Sequence, residues 1–183
     1  MFALTVLLES GAQTRGVGGR RMATEARSLV TPELEARRGI WLRERHSEPV
    51  GASAIRRWAI AVYWPEKPPR LYWDEEHARG TRFGGIVAPF EFNAFTWPVE
   101  RDPADSGLET DALPGLRSMA GGTRDRYGEP MRPGDVIRER ARIADWEQRE
   151  TRLGPTLFIH SETEWTNQRG ELVRSRLITS VRY

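Results

Sequence analysis

The sequence predicts an α+β fold, with helices in its first half and an antiparallel sheet in its last third. Two observations predict it. Ile55, Trp58, Ala59, Val62 and Tyr63 recur at i, i+3, i+4, i+7 and i+8, the spacing of a helix that buries one face. Three later runs, 136–146, 156–166 and 172–183, alternate apolar and polar residues as half-buried strands do. Helical segments followed by consecutive strands pack as helices against one face of an antiparallel sheet.

The elements follow in chain order. Residues 1–21 open with an apolar run, Phe2 to Leu8, and continue as a Gly/Arg stretch. A secretory signal needs basic residues before such a run, and a membrane span needs about 20 apolar residues. The stretch is expected to be a poorly ordered tail or the product of an upstream start codon. Residues 22–48 are expected to be an N-terminal extension, and 49–183 the main domain. Within the extension, Thr31-Pro32-Glu33 opens a short helix, with Thr31 as N-cap and Pro32 at the first helical position, and Gly39 ends it. His46 to Val50 reads as a linker or short strand. Ser53 is expected to cap the amphipathic helix, and Pro65 to stop it.

Residues 101–114 are polar and rich in Asp, Pro and Gly, hence a loop. Met119 to Asp135 passes through Gly121-Gly122 to a turn at Arg132-Pro133-Gly134-Asp135. Ile137, Ala141 and Ile143 then share one strand face, opposite Arg138, Arg140 and Arg142. Leu157, Ile159 and Trp165 share the next, Asn167 to Gly170 forms a hairpin loop, and Val173, Leu177, Val181 and Tyr183 point inward.

Composition narrows the function classes. At 183 residues the chain is long enough for a sizeable core. Its net charge is only +2 with acids and bases interspersed, so no nucleic-acid partner is expected, and no membrane partner either. The absence of cysteine excludes disulfides and thiolate metal sites and fits a cytoplasmic protein. His46, His77 and His160 share no metal-ligand spacing, so no metal is expected. His160 shares a strand face with Glu162 and Glu164, read as a solvated face or a subunit contact. No Gly-x-Ser-x-Gly and no phosphate loop occurs.

The richest stretch is Pro68 to Phe92, PPRLYWDEEHARGTRFGGIVAPFEF. Asp74 is placed as an N-cap, with Glu75 and Glu76 in the first turn, where the helix dipole favours carboxylates. Gly80 sits where a helix ends, and Gly84-Gly85 allow close approach of the backbone.

At these residues the chain resembles the MaoC-like hydratases and dehydratases, and more closely their N-terminal half type, the FAS1-like dehydratase domain. The carriers are YWDEEHARGTRFGGIVAP, then RPGD and ETEWTNQRGELV, in that order, covering about residues 48–183. The resemblance implies a single hot-dog fold, an antiparallel sheet wrapped around a central helix that starts near Phe90 to Pro98. It also implies acyl thioesters, usually of CoA, as substrates, and no cofactor beyond the CoA of the substrate. The family's catalytic Asp and His fall on Lys67 and Tyr72, so neither catalytic group is intact. The implied substrate-binding residues are Tyr72, Asp74, Gly85, Ile86, Ala88, Phe90 and Phe92, beside an elongated apolar pocket. The family's His-Gly after Ile-Ala is Pro89-Phe90 here, and the Phe90 N–H is the amide left to donate to a thioester oxygen.

Adding water across a conjugated double bond needs groups that exchange protons near neutral pH. With both positions replaced, three readings stand. The chain is a catalytically degenerate subunit that binds acyl-CoA beside an active MaoC-like partner, a self-sufficient hydratase or dehydratase with an altered site, or a non-enzymatic acyl-ligand-binding module. A homodimer or a heterodimer with a catalytic MaoC-like subunit is expected, because a sheet edge and an aromatic load of 7 Trp, 6 Phe and 4 Tyr favour pairing.

Overall fold

The computed structural model describes residues 28–95 and 116–183. In chain order these form α1 (Pro32–Ala36), β1 (Trp41–His46), α2 (Ala52–Tyr63), a 3-10 turn at Arg70–Tyr72 and α3 (Glu75–Arg79). Then come β2 (Ser118–Tyr127), β3 (Arg138–Thr151), β4 (Gly154–Thr166) and β5 (Leu172–Arg182). The strands make one antiparallel sheet in the order β1-β3-β4-β5-β2. Residues 1–27 and 96–115, including the expected tail and most of the expected 101–114 loop, lie outside the described residues.

The three predicted strands are the middle of the sheet. Alternation on β3 buries Ala141 and Ile143, with Ile137 just before the strand, while Leu157 and Ile159 do the same on β4. Two strands were not expected. β1 lies in the stretch read as an extension, yet it pairs with β3 from Trp41 to His46 and forms one edge of the sheet. β2 lies where a glycine-bearing connection was expected, and it pairs with β5 along its length to form the other edge. On β5, Val173 and Val181 are buried, whereas Leu177 is half-buried in a row with Arg124 and Glu162.

α1 begins as read, with the Thr31 hydroxyl accepting the Leu34 N–H at 3.2 Å. α2 begins two residues earlier than read. Its N-cap is Gly51, whose carbonyl accepts from Ala54 and Ile55, and Ser53 makes no cap bond. Ile55 and Ala59 are fully buried, Trp58 packs edge-on to Phe92 with ring centroids 5.8 Å apart, and Val62 is 56% exposed. Burying a side chain such as Ile55 stabilises by roughly 1.5–3 kcal/mol. No helix occurs over residues 90–95, which turn and then run irregularly, so the described part of the expected central-helix start is not helical. The longest helix among the described residues is α2.

Two apolar clusters result. One joins Val50, Ile55, Ala88, Phe92, Met131, Ile137 and Val173, and the other Leu29, Leu34, Ile143, Leu157 and Ile159. The first lies under the Pro68–Phe92 stretch, so the packing of that stretch and the candidate site are one problem. The two turns singled out in the sequence also meet. Buried Asp135 accepts the Arg132 N–H at 2.8 Å, within its own Arg-Pro-Gly-Asp turn, and Gln168 Nε2 of the β4–β5 hairpin at 3.1 Å.

Candidate functional site

Asp74 caps α3 as predicted, accepting the His77 N–H at 3.0 Å, and Arg70 reaches its other oxygen at 2.7 Å. The amide bond first, then Arg70, holds its carboxyl below the usual aspartate range. Gly80 closes the helix with φ −76, a conformation open to any residue, while Gly84 has φ +67 and uses glycine's freedom. A Cβ at Gly85 would meet nothing within 4 Å, so no close approach depends on that residue.

The two family catalytic positions do not form an acid–base pair. Lys67 is exposed, with Nζ 4.8 Å from the centre of the Trp73 ring, a cation–π contact. Tyr72 turns toward Tyr63, with ring centroids 6.0 Å apart. Burial, and then the hydrogen bond with Tyr63, push the Tyr72 phenol up to about 12. A phenol held there does not exchange protons at neutral pH.

The expected substrate-binding residues divide. Ala88 and Phe92 are buried in the first apolar cluster, and Tyr72 and Ile86 pack against it. Asp74 is occupied with its helix and Arg70. Ala88 and Phe90 line a small pocket with Tyr127, Met131, Val173 and Arg174. Its volume is ≈ 20 Å³, about the space one water needs. Tyr72 and Phe92 belong to the first apolar cluster, and neither they nor Gly85 line this small pocket.

Beside this pocket lies a charged cluster that sequence reasoning missed. Arg174, 7% exposed, donates from Nη2 to Glu91 at 3.0 Å and to Asp125 at 3.1 Å. Arg176 grips Asp125 at 2.7 and 2.8 Å and reaches Glu91 at 3.4 Å. The Tyr127 hydroxyl donates to Glu91, and the Phe90 ring lies 4.9 Å from the Tyr127 ring. Burial and the Glu91 bond raise the Tyr127 phenol above its ordinary value, against the pull of Arg174. The signal was present as two i, i+2 pairs, Arg174/Arg176 and Asp125/Tyr127, each on one strand face. Only the β2–β5 pairing, which the sequence did not reveal, brings them together.

On the opposite sheet face the His160 strip is an ion-pair ladder, Arg142–Glu162 at 2.6 Å and Arg140–Glu164 at 2.7 Å. His160 Nδ1 lies 2.9 Å from the Thr179 hydroxyl. No cluster of His, Asp and Glu among the described residues is arranged to hold a metal.

A family profile for the FAS1-like dehydratase domain region matches residues 36–176. The chain belongs to this family. Among solved structures, the FAS1-like dehydratase chain is similar to one in the ChsH1-ChsH2 complex from Mycobacterium tuberculosis. The identity is 21%, with 76% of this chain and 82% of that chain covered and a TM-score of 0.59. It is also similar to a chain of the C-terminally truncated HadBC (3R-hydroxyacyl-ACP dehydratase) complex of the same organism. There the identity is 22%, the coverage 76% and 96%, and the TM-score 0.51. A third likeness is to the MaoC-like dehydratase from Rhodospirillum rubrum, at 23% identity, 78% and 96% coverage and a TM-score of 0.50. These likenesses establish the hot-dog fold. No curated protein matches the chain. No helix among the described residues is long and apolar enough to cross a membrane.

Proposed function

We propose that this chain is the substrate-binding subunit of a 2-enoyl-thioester hydratase or dehydratase, paired in the cytoplasm with a MaoC-like chain that supplies the Asp and His. The observation that carries this reading is the state of Lys67 and Tyr72. An exposed ammonium over Trp73 and a phenol raised to about 12 do not assemble an acid–base pair where the family keeps one. Hydration requires a base that takes a proton from water as its oxygen bonds C3, and an acid that delivers a proton to C2. Membership in a dehydratase family without these groups is reconciled by a partner that provides them. Two of the similar structures are complexes, ChsH1-ChsH2 and HadBC, which supports the same reading. The substrate we propose is an acyl-CoA.

The test is a crotonyl-CoA hydration assay on the purified chain and on the chain co-expressed with a MaoC-like protein that carries the Asp and His. The isolated chain is expected to give background turnover and the pair to give activity. Tyr72→Phe and Lys67→Ala in the pair are expected to leave kcat within about twofold, well under the tenfold that 1.36 kcal/mol of barrier represents. Robust turnover by the isolated chain, abolished by Tyr72→Phe, returns the catalytic role to this subunit and overturns the proposal.

A further inference from the structure

We propose that Arg182 on β5 is a carboxylate-binding site, taking a ligand whose carboxylate docks on the guanidinium and whose hydrocarbon part runs toward Ile178. The site is separate from Lys67, Tyr72 and the Phe90–Tyr127 pocket, and it does not depend on the acyl-thioester reading.

Register fixes where Arg182 lies. It stands between Leu157 of β4 and Ser118 of β2, and its side chain shares their face of the sheet. Leu157 and Ile159 are buried in the second apolar cluster, and beside them the Arg182 Nε is fully enclosed with no acceptor. Neither Nη group has a partner among the described residues. Arg140, Arg142, Arg174 and Arg176, in the middle of the sheet, are each held by a carboxylate instead. Burial alone acts on the Arg182 pKa and lowers it, whereas Arg169, bonded to Glu171, is raised. A cation taken partly out of water without a counter-charge costs stability, and an anion brought to it offsets that cost.

The surroundings select the anion. Ser118 and Ser180 flank Arg182 on this face, and their side chains make no hydrogen bond among the described residues, so they add hydroxyl donors. Leu157, Ile159 and Ala120, the other neighbours on this face, carry no charge. One positive charge therefore faces the guest, which matches the single charge of a carboxylate and leaves half of a phosphate dianion unmet. With Nε enclosed, the Nη1–Nη2 edge is the one a guest meets, and its two parallel N–H donors fit two carboxylate oxygens. Ile178 lies four residues back on the same face, about 13 Å away at about 3.3 Å per residue. It is 40% exposed, an apolar surface along which a chain of carbons can lie.

Calorimetry and thermal unfolding of the full chain test this with octanoate, inorganic phosphate and octanamide, which has the same carbon chain without the charge. Octanoate is expected to bind about tenfold tighter than octanamide, the scale of one hydrogen bond to a charged donor. Arg182→Met keeps the apolar stem and removes the cation, and is expected to raise the ligand-free Tm and to erase that preference. Arg182→Lys, which keeps the charge without the fork, is expected to retain only part of it. A second pair, adipoyl-CoA and hexanoyl-CoA, identifies what carries the carboxylate. A preference for adipoyl-CoA that Arg182→Met removes supports the site with the carboxylate at the far end of an acyl group. Octanoate binding without that preference supports it with a free acid. Equal binding within both pairs overturns the site, and so does a lower ligand-free Tm for Arg182→Met, which would mean that the guanidinium already has its counter-charge. Phosphate binding that Arg182→Met abolishes, with no binding of octanoate, overturns the choice of a carboxylate. Hydration by the paired chains is read separately by the crotonyl-CoA assay, so failure here leaves the thioester reading standing.

Discussion

Arg45 on β1 grips both carboxylate oxygens of Glu139 on β3, at 2.7 and 3.1 Å. The pair is the start of a row that crosses the whole sheet. Glu139 also accepts the Trp165 indole N–H at 2.9 Å, and Arg174 lies 5.2 Å from the Trp165 ring and 5.4 Å from that of Tyr127. Register places Arg45, Glu139, Trp165, Arg174 and Tyr127 side by side on successive strands. The row thus links the β1 edge to the cluster beside the candidate pocket. Glu139 is 7% exposed, and its loss leaves a guanidinium and an indole N–H without their acceptor. Glu139→Ala is expected to destabilise the fold by about 2–4 kcal/mol, somewhat reduced because Arg45 is partly in water. Thermal unfolding checks this, and a change in Tm of less than about 2 °C would mean the row carries no stability.

Much of the sheet was legible in the sequence, and its edges were not, for physical reasons that differ at the two sides. β3, β4 and β5 each bury one face, so alternation betrays them. β1 reads Trp-Leu-Arg-Glu-Arg-His, and as an edge strand it pairs through charge, Arg45 with Glu139, instead of burying an apolar face. β2 is hidden by its own bulge. A Cβ at Gly121 would sit 2.8 Å from Val181 Cγ2, and Gly122 has φ +145, so two glycines that read as a loop are what lets the strand pass close to β5. Missing β2 meant missing Asp125 and Tyr127 beside Arg174, and with them the pocket. By contrast, the Asp74 cap was legible because a helix start is a local signal.

Asp135 ties together the two turns that carried the family resemblance. It is 3% exposed and accepts from the Arg132 amide, from Gln168 and, at 3.4 Å, from Arg169. Asp135→Ala orphans the Arg132 amide and releases the β4–β5 hairpin from the turn before β3. A loss of about 1–3 kcal/mol is expected in urea unfolding. Asp135→Asn, which keeps an acceptor oxygen, is expected to recover part of it. Equal losses in the two variants would show that charge, and not the acceptor, is what the turn needs.

Gly128, where β2 leaves the sheet, has no room for a side chain. A Cβ there would lie 2.1 Å from the Leu172 carbonyl oxygen and 3.0 Å from its carbon, both backbone atoms that cannot turn aside. The Gly128 N–H also bonds the Val173 carbonyl at 3.0 Å, fixing the close approach. Gly128→Ala is expected to cost about 4 kcal/mol or more, among the largest effects of a single methyl group, or to prevent folding. Expression yield and circular dichroism decide it, and a variant with wild-type Tm would show that the β2–β5 contact yields more easily than its geometry implies.

The Tyr72 phenol gives a pH prediction with a definite sign. Burial, then Tyr63, raise it from 10.0 to about 12 in the folded chain. The folded state therefore holds the proton more tightly than the unfolded state. The stability this contributes is fully present below pH 10, the unfolded value, and is lost as pH rises through 10 toward 12. Ultraviolet difference titration of wild type against Tyr72→Phe should assign one late-ionising tyrosine to position 72. Tyr63→Phe removes the hydrogen bond but leaves the burial, which is the larger cause, so the late ionisation should move only part of the way back toward 10.0. Hydration activity of the chain with its partner should show no inflection assignable to Tyr72 between pH 6 and 9. An inflection there that Tyr72→Phe removes would mean that assembly shifts the phenol into the working range and that it acts on the substrate after all.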